Sequence, residues 1–303
     1  MLRLRAWRRR DTLGAQRLAR DLWPSGPHPG GLGWEAATDQ LPRRAVVAVR
    51  GRRIVGWAGV ARGEIQVRGV SADAAAGRRL LAWALRTAGE RDLRIPVAHG
   101  DPALGALVAE AGFVPDSADP VTGMVRDAAG DGPVWPEGYR VRPVRAGEDA
   151  ARVAVHRAAW RPADMPWAAH VRDRVDPAAT SGFTPAHLAR LRRALLFDPD
   201  LDLVVEAPDG SLAACATVWW DARGGCAELE PVGVVPAHRR RGLAAALARH
   251  ACVEVARRGG REVFINSRPM DEYPAPAAAY LRAGFTLVER GRHHVRGVTA
   301  RAT

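Results

Sequence analysis

The sequence predicts an α/β chain with a mixed sheet, built as two tandem copies of one plan. Three observations carry this. Strand-like and helix-like periodicities follow one order, β-α-(α)-β-β-β-α-β-α-β, and that order occurs twice along the 303 residues. Each copy closes a short helix on Ala-Gly-Phe, at residues 111–113 and 283–285. Between the copies lies a stretch rich in Gly and Pro, residues 127–138, which reads as a linker. The expected boundaries are therefore 1–126, 127–138 and 139–303.

The elements follow in order. The copies open on Arg3-Leu-Arg-Ala-Trp-Arg8 and Arg140-Val-Arg-Pro-Val-Arg145, both alternating as a strand does. Each leads into an acidic turn, at Asp11 and at Glu148-Asp149, suited to start a helix. Paired strands cover 45–61 and 201–220, turning at Arg50-Gly51 and Asp209-Gly210. Next come a strand (64–70 and 227–235), a helix (73–88 and 241–257) and a further strand (93–98 and 262–266).

Composition narrows the function classes. Hydrophobic residues make up 47% of the chain, enough for a core in each of two domains. No apolar run is long enough to span a bilayer, and the N-terminus lacks a secretory pattern. Cys215, Cys226 and Cys252 show no metal-ligand spacing, so we expect no metal and a reducing, cytoplasmic setting. The net charge is +12, and all 45 basic residues are arginine, as GC-rich codon usage would give. The arginines are scattered, with no basic arm or zinc-finger spacing, so the charge alone does not argue for nucleic acid. It suits an anionic ligand equally well.

The informative stretch is Glu228-Leu-Glu-Pro-Val-Gly-Val-Val-Pro-Ala-His-Arg-Arg-Arg-Gly-Leu-Ala-Ala-Ala-Leu247. A strand ends near Val235, Pro236 breaks it, and a helix begins near Arg241 or Gly242. Amides at a helix start have no partners inside the helix and carry partial positive charge, which suits a pyrophosphate. Gly242 lets phosphates approach the main chain, small Ala244 keeps the next turn open, and Arg239, Arg240 and Arg241 add positive charge.

This segment resembles the acetyl-CoA signature of the GNAT superfamily of N-acetyltransferases, Arg/Gln-x-x-Gly-x-Gly/Ala, here Arg239-x-x-Gly242-x-Ala244. Val232-Gly-Val234, with Pro236 two residues on, matches too, as does Tyr280-Leu-Arg-Ala-Gly-Phe285 against Tyr-x-x-x-Gly-Phe. The tandem layout is similar to that of acetyltransferases of the actinobacterial tandem type. The resemblance covers residues 139–290 by motif and 1–126 by layout only. It implies two GNAT-like domains, with acetyl-CoA as cosubstrate and an amine of a small molecule or peptide as acceptor. It also implies pantetheine contacts along Val232, Gly233 and Val234, with Val234 N–H polarising the thioester carbonyl. Pyrophosphate contacts fall on Arg239, Arg240, Arg241, Gly242, Leu243, Ala244 and Ala245. A non-catalytic CoA-binding or protein-interaction module is the alternative.

The first copy departs from the signature. Its matching segment has Ala74 in place of Arg239, Gly77 in place of Gly242 and Arg79 in place of Ala244, where an arginine would crowd the phosphates. Val108 stands in place of Tyr280. We therefore expect the N-terminal copy to be degenerate.

For the chemistry, Tyr280 is the candidate general acid by match to the family tyrosine, with a core aromatic as the competing reading. Glu230 is the preferred general base. Glu228, two residues earlier on the same strand face, stays open, as do Asp271 and Glu272 beside the cleft. His238 in the phosphate turn, Asn266 at a strand end, and the aromatics Trp160, Trp167 and Phe183 over the acceptor side are further candidates.

Overall fold

The computed structural model describes residues 1–89, 91–266 and 270–297. The chain forms two compact units, Met1–Thr122 together with the stretch from Glu289 onward, and Gly123–Val288.

In the first unit the elements are β1 (Leu2–Ala6), α1 (Thr12–Leu22), α2 (Pro29–Ala37), β2 (Arg44–Arg50), β3 (Arg53–Ala61), β4 (Glu64–Arg68), α3 (Ala74–Ala88), β5 (Leu93–Ala98), α4 (Pro102–Glu110) and the start of β6 (Val114–Asp127). The second unit takes the end of β6, then β7 (Arg140–Pro143), α5 (Asp149–Ala159), α6 (Ala169–Arg172), α7 (Pro185–Leu191), β8 (Asp202–Glu206), β9 (Leu212–Asp221), β10 (Cys226–Val234), α8 (Leu243–Arg257), β11 (Glu262–Ile265), α9 (Pro274–Arg282) and the start of β12 (Thr286–Arg296). Both sheets are mixed: antiparallel hairpins run into one parallel pairing, β4 with β5 and β10 with β11. β4 alternates between core and half-exposed positions as its period requires, whereas β2 is buried continuously from Val46 to Val49.

The last strand of each sheet is the one element misplaced by the linear boundaries. Residues 291–296 of β12 pair antiparallel with β5, and residues 124–127 of β6 pair antiparallel with β11. Each sheet is thus finished by a strand from the other half of the chain. The expected 139–303 domain gives its final strand to the first unit, and Asp127, expected to open the linker, pairs with Glu262. Strand pairing does not depend on sequence distance, so no local pattern marks it.

Each unit has its own core. In the first, Val67, Leu80, Ala84 and Ile95 close between α3 and the sheet. In the second, Leu229, Leu247, Ala251, Val263 and Phe285 do so around α8. No described helix is long and apolar enough to cross a membrane.

Candidate active site

The site begins with a break in β10. Its register against β9 shifts between Leu229 and Val232, so one extra residue is accommodated there as a bulge. Its parallel register with β11 ends at Glu228 opposite Phe264. Beyond the bulge, Val235 N–H donates to Ala213 O (2.9 Å). Main-chain groups alternate sides along a strand. Gly233 therefore also turns its N–H toward β9, while Val232 and Val234 turn theirs to the open edge. The side chains alternate as well. Val232 and Val234 pack on the core beneath α8, whereas Gly233 faces Trp160, whose Cζ3 lies 2.0 Å from where a β-carbon would stand.

The turn after the strand supplies converging amides. Pro236–His238 is a single 3-10 turn. Arg240 has φ +64° and Gly242 φ +83°, both left-handed. An arginine held there costs about 1–2 kcal/mol, and such strain concentrates at ligand clamps. Gly242 caps α8 with no side-chain partner. The first helical bond is Ala246 N–H to Gly242 O (3.0 Å), so the amides of Leu243, Ala244 and Ala245 precede the intrahelical ladder. A β-carbon on Gly242 would meet nothing within 4 Å, so the space in front of the helix is open.

These groups border a cleft of about 410 Å³, within the range of small-molecule sites. Of the residues expected from sequence, Val232, Gly233, Val234, Arg239, Arg240, Gly242, Leu243, Ala244, Ala245 and Tyr280 all line it. Arg241 is exposed and outside the lining. The sequence reading missed Pro166, Tyr273, Pro276 and Arg282, which line it too. Proximity of α9 to the cleft depends on tertiary packing, and only Tyr280 carried a motif signal.

Arg239 is placed differently from expectation. Its Nε donates to Val234 O (3.1 Å), its Nη2 to Ala159 O (3.1 Å) and its Nη1 to Asp164 O. Three carbonyls take up its donors, so it ties strand, α5 and the following turn together, while its charge, which neutral carbonyls do not cancel, stays at the cleft. Arg79 in the first unit likewise does not crowd the start of α3, since its Nη1 donates to Leu2 O (2.9 Å).

Tyr280 is 6% exposed. Burial, together with the nearby negative charges of Glu230 and Tyr273, pushes its hydroxyl well above the usual phenol range, so it holds its proton. Glu230 is half-buried at the bulge, within electrostatic reach of Tyr280 but outside the cleft lining. Glu228 is 1% exposed and accepts from Asn266 Nδ2 (3.1 Å). Asp271 and Glu272 are exposed; Asp271 accepts the Glu272 N–H, and Glu272 O accepts from Ala168 N–H (2.9 Å). His238 lines the cleft with Nδ1 3.0 Å from the Tyr139 hydroxyl. Trp167 packs on Tyr273 (5.0 Å between centroids), and Phe183 on His156 (4.2 Å).

A splayed strand edge, uncapped helix amides and a buried tyrosine thus surround one cleft. Residues 168–285 match the model of the acetyltransferase (GNAT) family. The chain is 36% identical over 171 residues to a mycothiol acetyltransferase of Kineococcus radiotolerans, which covers 53% of this chain and 48% of that protein. The chain thus spans about half the length of that curated relative. Two solved structures share the fold over nearly the whole chain. One is a tandem GNAT protein from the clavulanic acid biosynthesis pathway (18% identity, TM-score 0.55, 99% of each chain). The other is a GCN5-related N-acetyltransferase from Sphaerobacter thermophilus (20% identity, TM-score 0.51, 98% and 96%). The tandem layout read from the sequence is consistent with the first of these. Among the described residues no group of His, Cys, Asp and Glu is arranged to hold a metal.

Proposed function

We propose that this chain is an acetyl-CoA-dependent N-acetyltransferase moving an acetyl group to a primary amine of a small molecule or peptide. The observation that carries this is the uncapped start of α8, whose amides open on the same cleft as the free edge of β10 and Tyr280. The residues fit acetyl-CoA: an open space before the helix for a diphosphate, an unpaired strand edge for an amide-bearing arm, and apolar walls between them. Bound there, the thioester supplies the activated acyl group.

The chain's own residues do the rest. Amides of Gly242, Leu243, Ala244 and Ala245, with the charges of Arg240 and Arg241, hold the diphosphate. Val232 and Val234 offer main-chain partners to the arm, and Val234 N–H polarises the carbonyl. An alkylammonium acceptor must lose a proton first, which costs roughly 4–5 kcal/mol at pH 7. Glu230 takes that proton, through water since it stands outside the lining. Tyr280 gives its proton to the departing thiolate and regains one from the attacking nitrogen, which sheds its second proton as the amide forms. We read the N-terminal copy as degenerate, and the three buried cysteines as fitting a reducing cytoplasm.

An amine panel assayed for thiol release tests this. The expected result is release with at least one amine, lowered about 10²-fold in Tyr280→Phe and lowered in Glu230→Gln. Binding of CoA without release across the panel would favour the non-catalytic module. Full activity in both variants would remove these two roles.

A further inference from the structure

We infer that Trp160 sets the length of the acyl group this cleft accepts, holding it to a short chain. The inference rests on the acyl-transfer reading above. It starts at Gly233, where a β-carbon would stand 2.0 Å from Trp160 Cζ3, 2.3 Å from Cη2 and 2.8 Å from Ala159 Cβ. The indole occupies the space where any other residue at 233 would project. Gly233 lies between the two residues whose amides face the open edge, so the indole stands on the rung where the thioester would lie. It lines the cleft there.

This wall is held from behind. Trp160 stacks on His156, with centroids 4.3 Å apart and planes at 19°. His156 rests in turn on Phe183 at 4.2 Å. Burial drives the imidazole down to about 2, so it stays neutral and stacks as an apolar ring. The backbone on both sides of Trp160 is clamped by one guanidinium: Arg239 binds Ala159 O before it and Asp164 O after it. The same group holds Val234 O at 3.1 Å. Wall and strand edge are therefore fixed to each other. An acyl chain growing past the carbonyl meets a close-packed surface, where overpacking is costly.

Calorimetric titration of CoA, acetyl-CoA and hexanoyl-CoA into the wild-type chain, Trp160→Ala and Trp160→Phe tests this, with thermal melts confirming that each variant folds. Relative to CoA, wild type is expected to bind hexanoyl-CoA worse than acetyl-CoA. Measured as the ratio to CoA, Trp160→Ala should recover about tenfold or more of that loss, the scale on which a pocket discriminates methylenes, with Trp160→Phe intermediate. If Trp160→Ala does not fold, the Trp160→Phe ratio decides. A hexanoyl-to-CoA ratio unchanged in the folded variants would overturn the inference and leave the acyl-transfer reading standing. Failure of wild type to bind CoA would overturn that reading and the inference with it.

Discussion

Helix α3 of the first unit and helix α8 of the second follow the same strand in the same order, yet their N-termini are chemically opposite. In α3 the chain fills its own donors. Asp73 caps the helix, its Oδ1 accepting from Ala76 N–H at 3.0 Å. Arg50 pairs with the same carboxylate at 2.7 Å, and that contact leads in holding the carboxyl below its usual range. In α8 the cap is Gly242, with no side chain and an open space before it. Gly77, which aligns with Gly242 by sequence, is a different kind of glycine. It sits within the helix, donates to Asp73 O at 2.9 Å, and is small because Val70 would lie 2.9 Å from a β-carbon. At the Tyr280 position, Val108 is wholly buried in the first core. A helix start can offer its amides to an outside anion only where the protein supplies none of its own: α3 is filled by Asp73, and α8 is left open.

The largest effect should come from making α8 resemble α3. In Gly242→Asp, a carboxylate occupies the cradle, and the φ of +83° adds about 1–2 kcal/mol of strain. CoA affinity should fall about 10³-fold, equivalent to about 4 kcal/mol, as read by titration on a variant shown to be folded. CoA bound as tightly as by wild type would collapse the contrast.

Tyr280 is the next point of difference. Tyr280→Phe should lower kcat about 10²-fold, the lower end for a positioned proton donor, with CoA affinity unchanged. Because the folded hydroxyl titrates above the usual phenol range, the wild-type rate should not decline near pH 10 through loss of this proton. A variant that loses CoA binding and rate together would make Tyr280 a packing residue, as Val108 is.

The sequence made most of this legible because the relevant signals are local. Gly242 after Pro236, the alternation of β10 and the Tyr280 motif each fall within a few residues. What it hid were choices between partners far apart in the chain. Arg239 reads as a phosphate ligand in a run of three arginines, and only folding brings Ala159 O and Asp164 O to it. Asp73 reads as an ordinary helix start, since its meaning lies in the absence of an equivalent cap at Gly242. Trp160 was visible as an aromatic over the acceptor side. Its fit to Gly233 depends on packing across 73 residues of sequence.

Acid should separate the two units further. His156 titrates near 2 in the folded chain against 6.5 when exposed, chiefly through burial. Between those values the unfolded chain binds a proton that the folded one does not. Stability is therefore retained above about pH 6.5 and lost as pH falls, by up to about 1.4 kcal/mol per pH unit. From about pH 6.5 to 4.5, above the carboxylate range, hydrogen exchange in β8–β10 should accelerate more than in β2–β4. His156→Phe should shrink the difference, leaving the share of His250, whose pKa burial also lowers, and an unchanged acid response in that variant would assign it to other groups.

The smallest expected effect probes the contrast from the other side. Asp73→Ala removes the cap and the partner of Arg50, and should cost the first unit about 1 kcal/mol, read as a shift in the denaturant midpoint. It also exposes the Ala76 N–H and restores the partial positive charge at the start of α3. If an occupied cap were all that silences the first half, this variant would bind two CoA per chain. We expect one, because removing a carboxylate does not create the left-handed turn that aims the amides at Arg240 and Gly242, nor a tyrosine in place of Val108. A stoichiometry of two would show that α3 lacks only a vacancy, and the difference between the halves would reduce to one side chain.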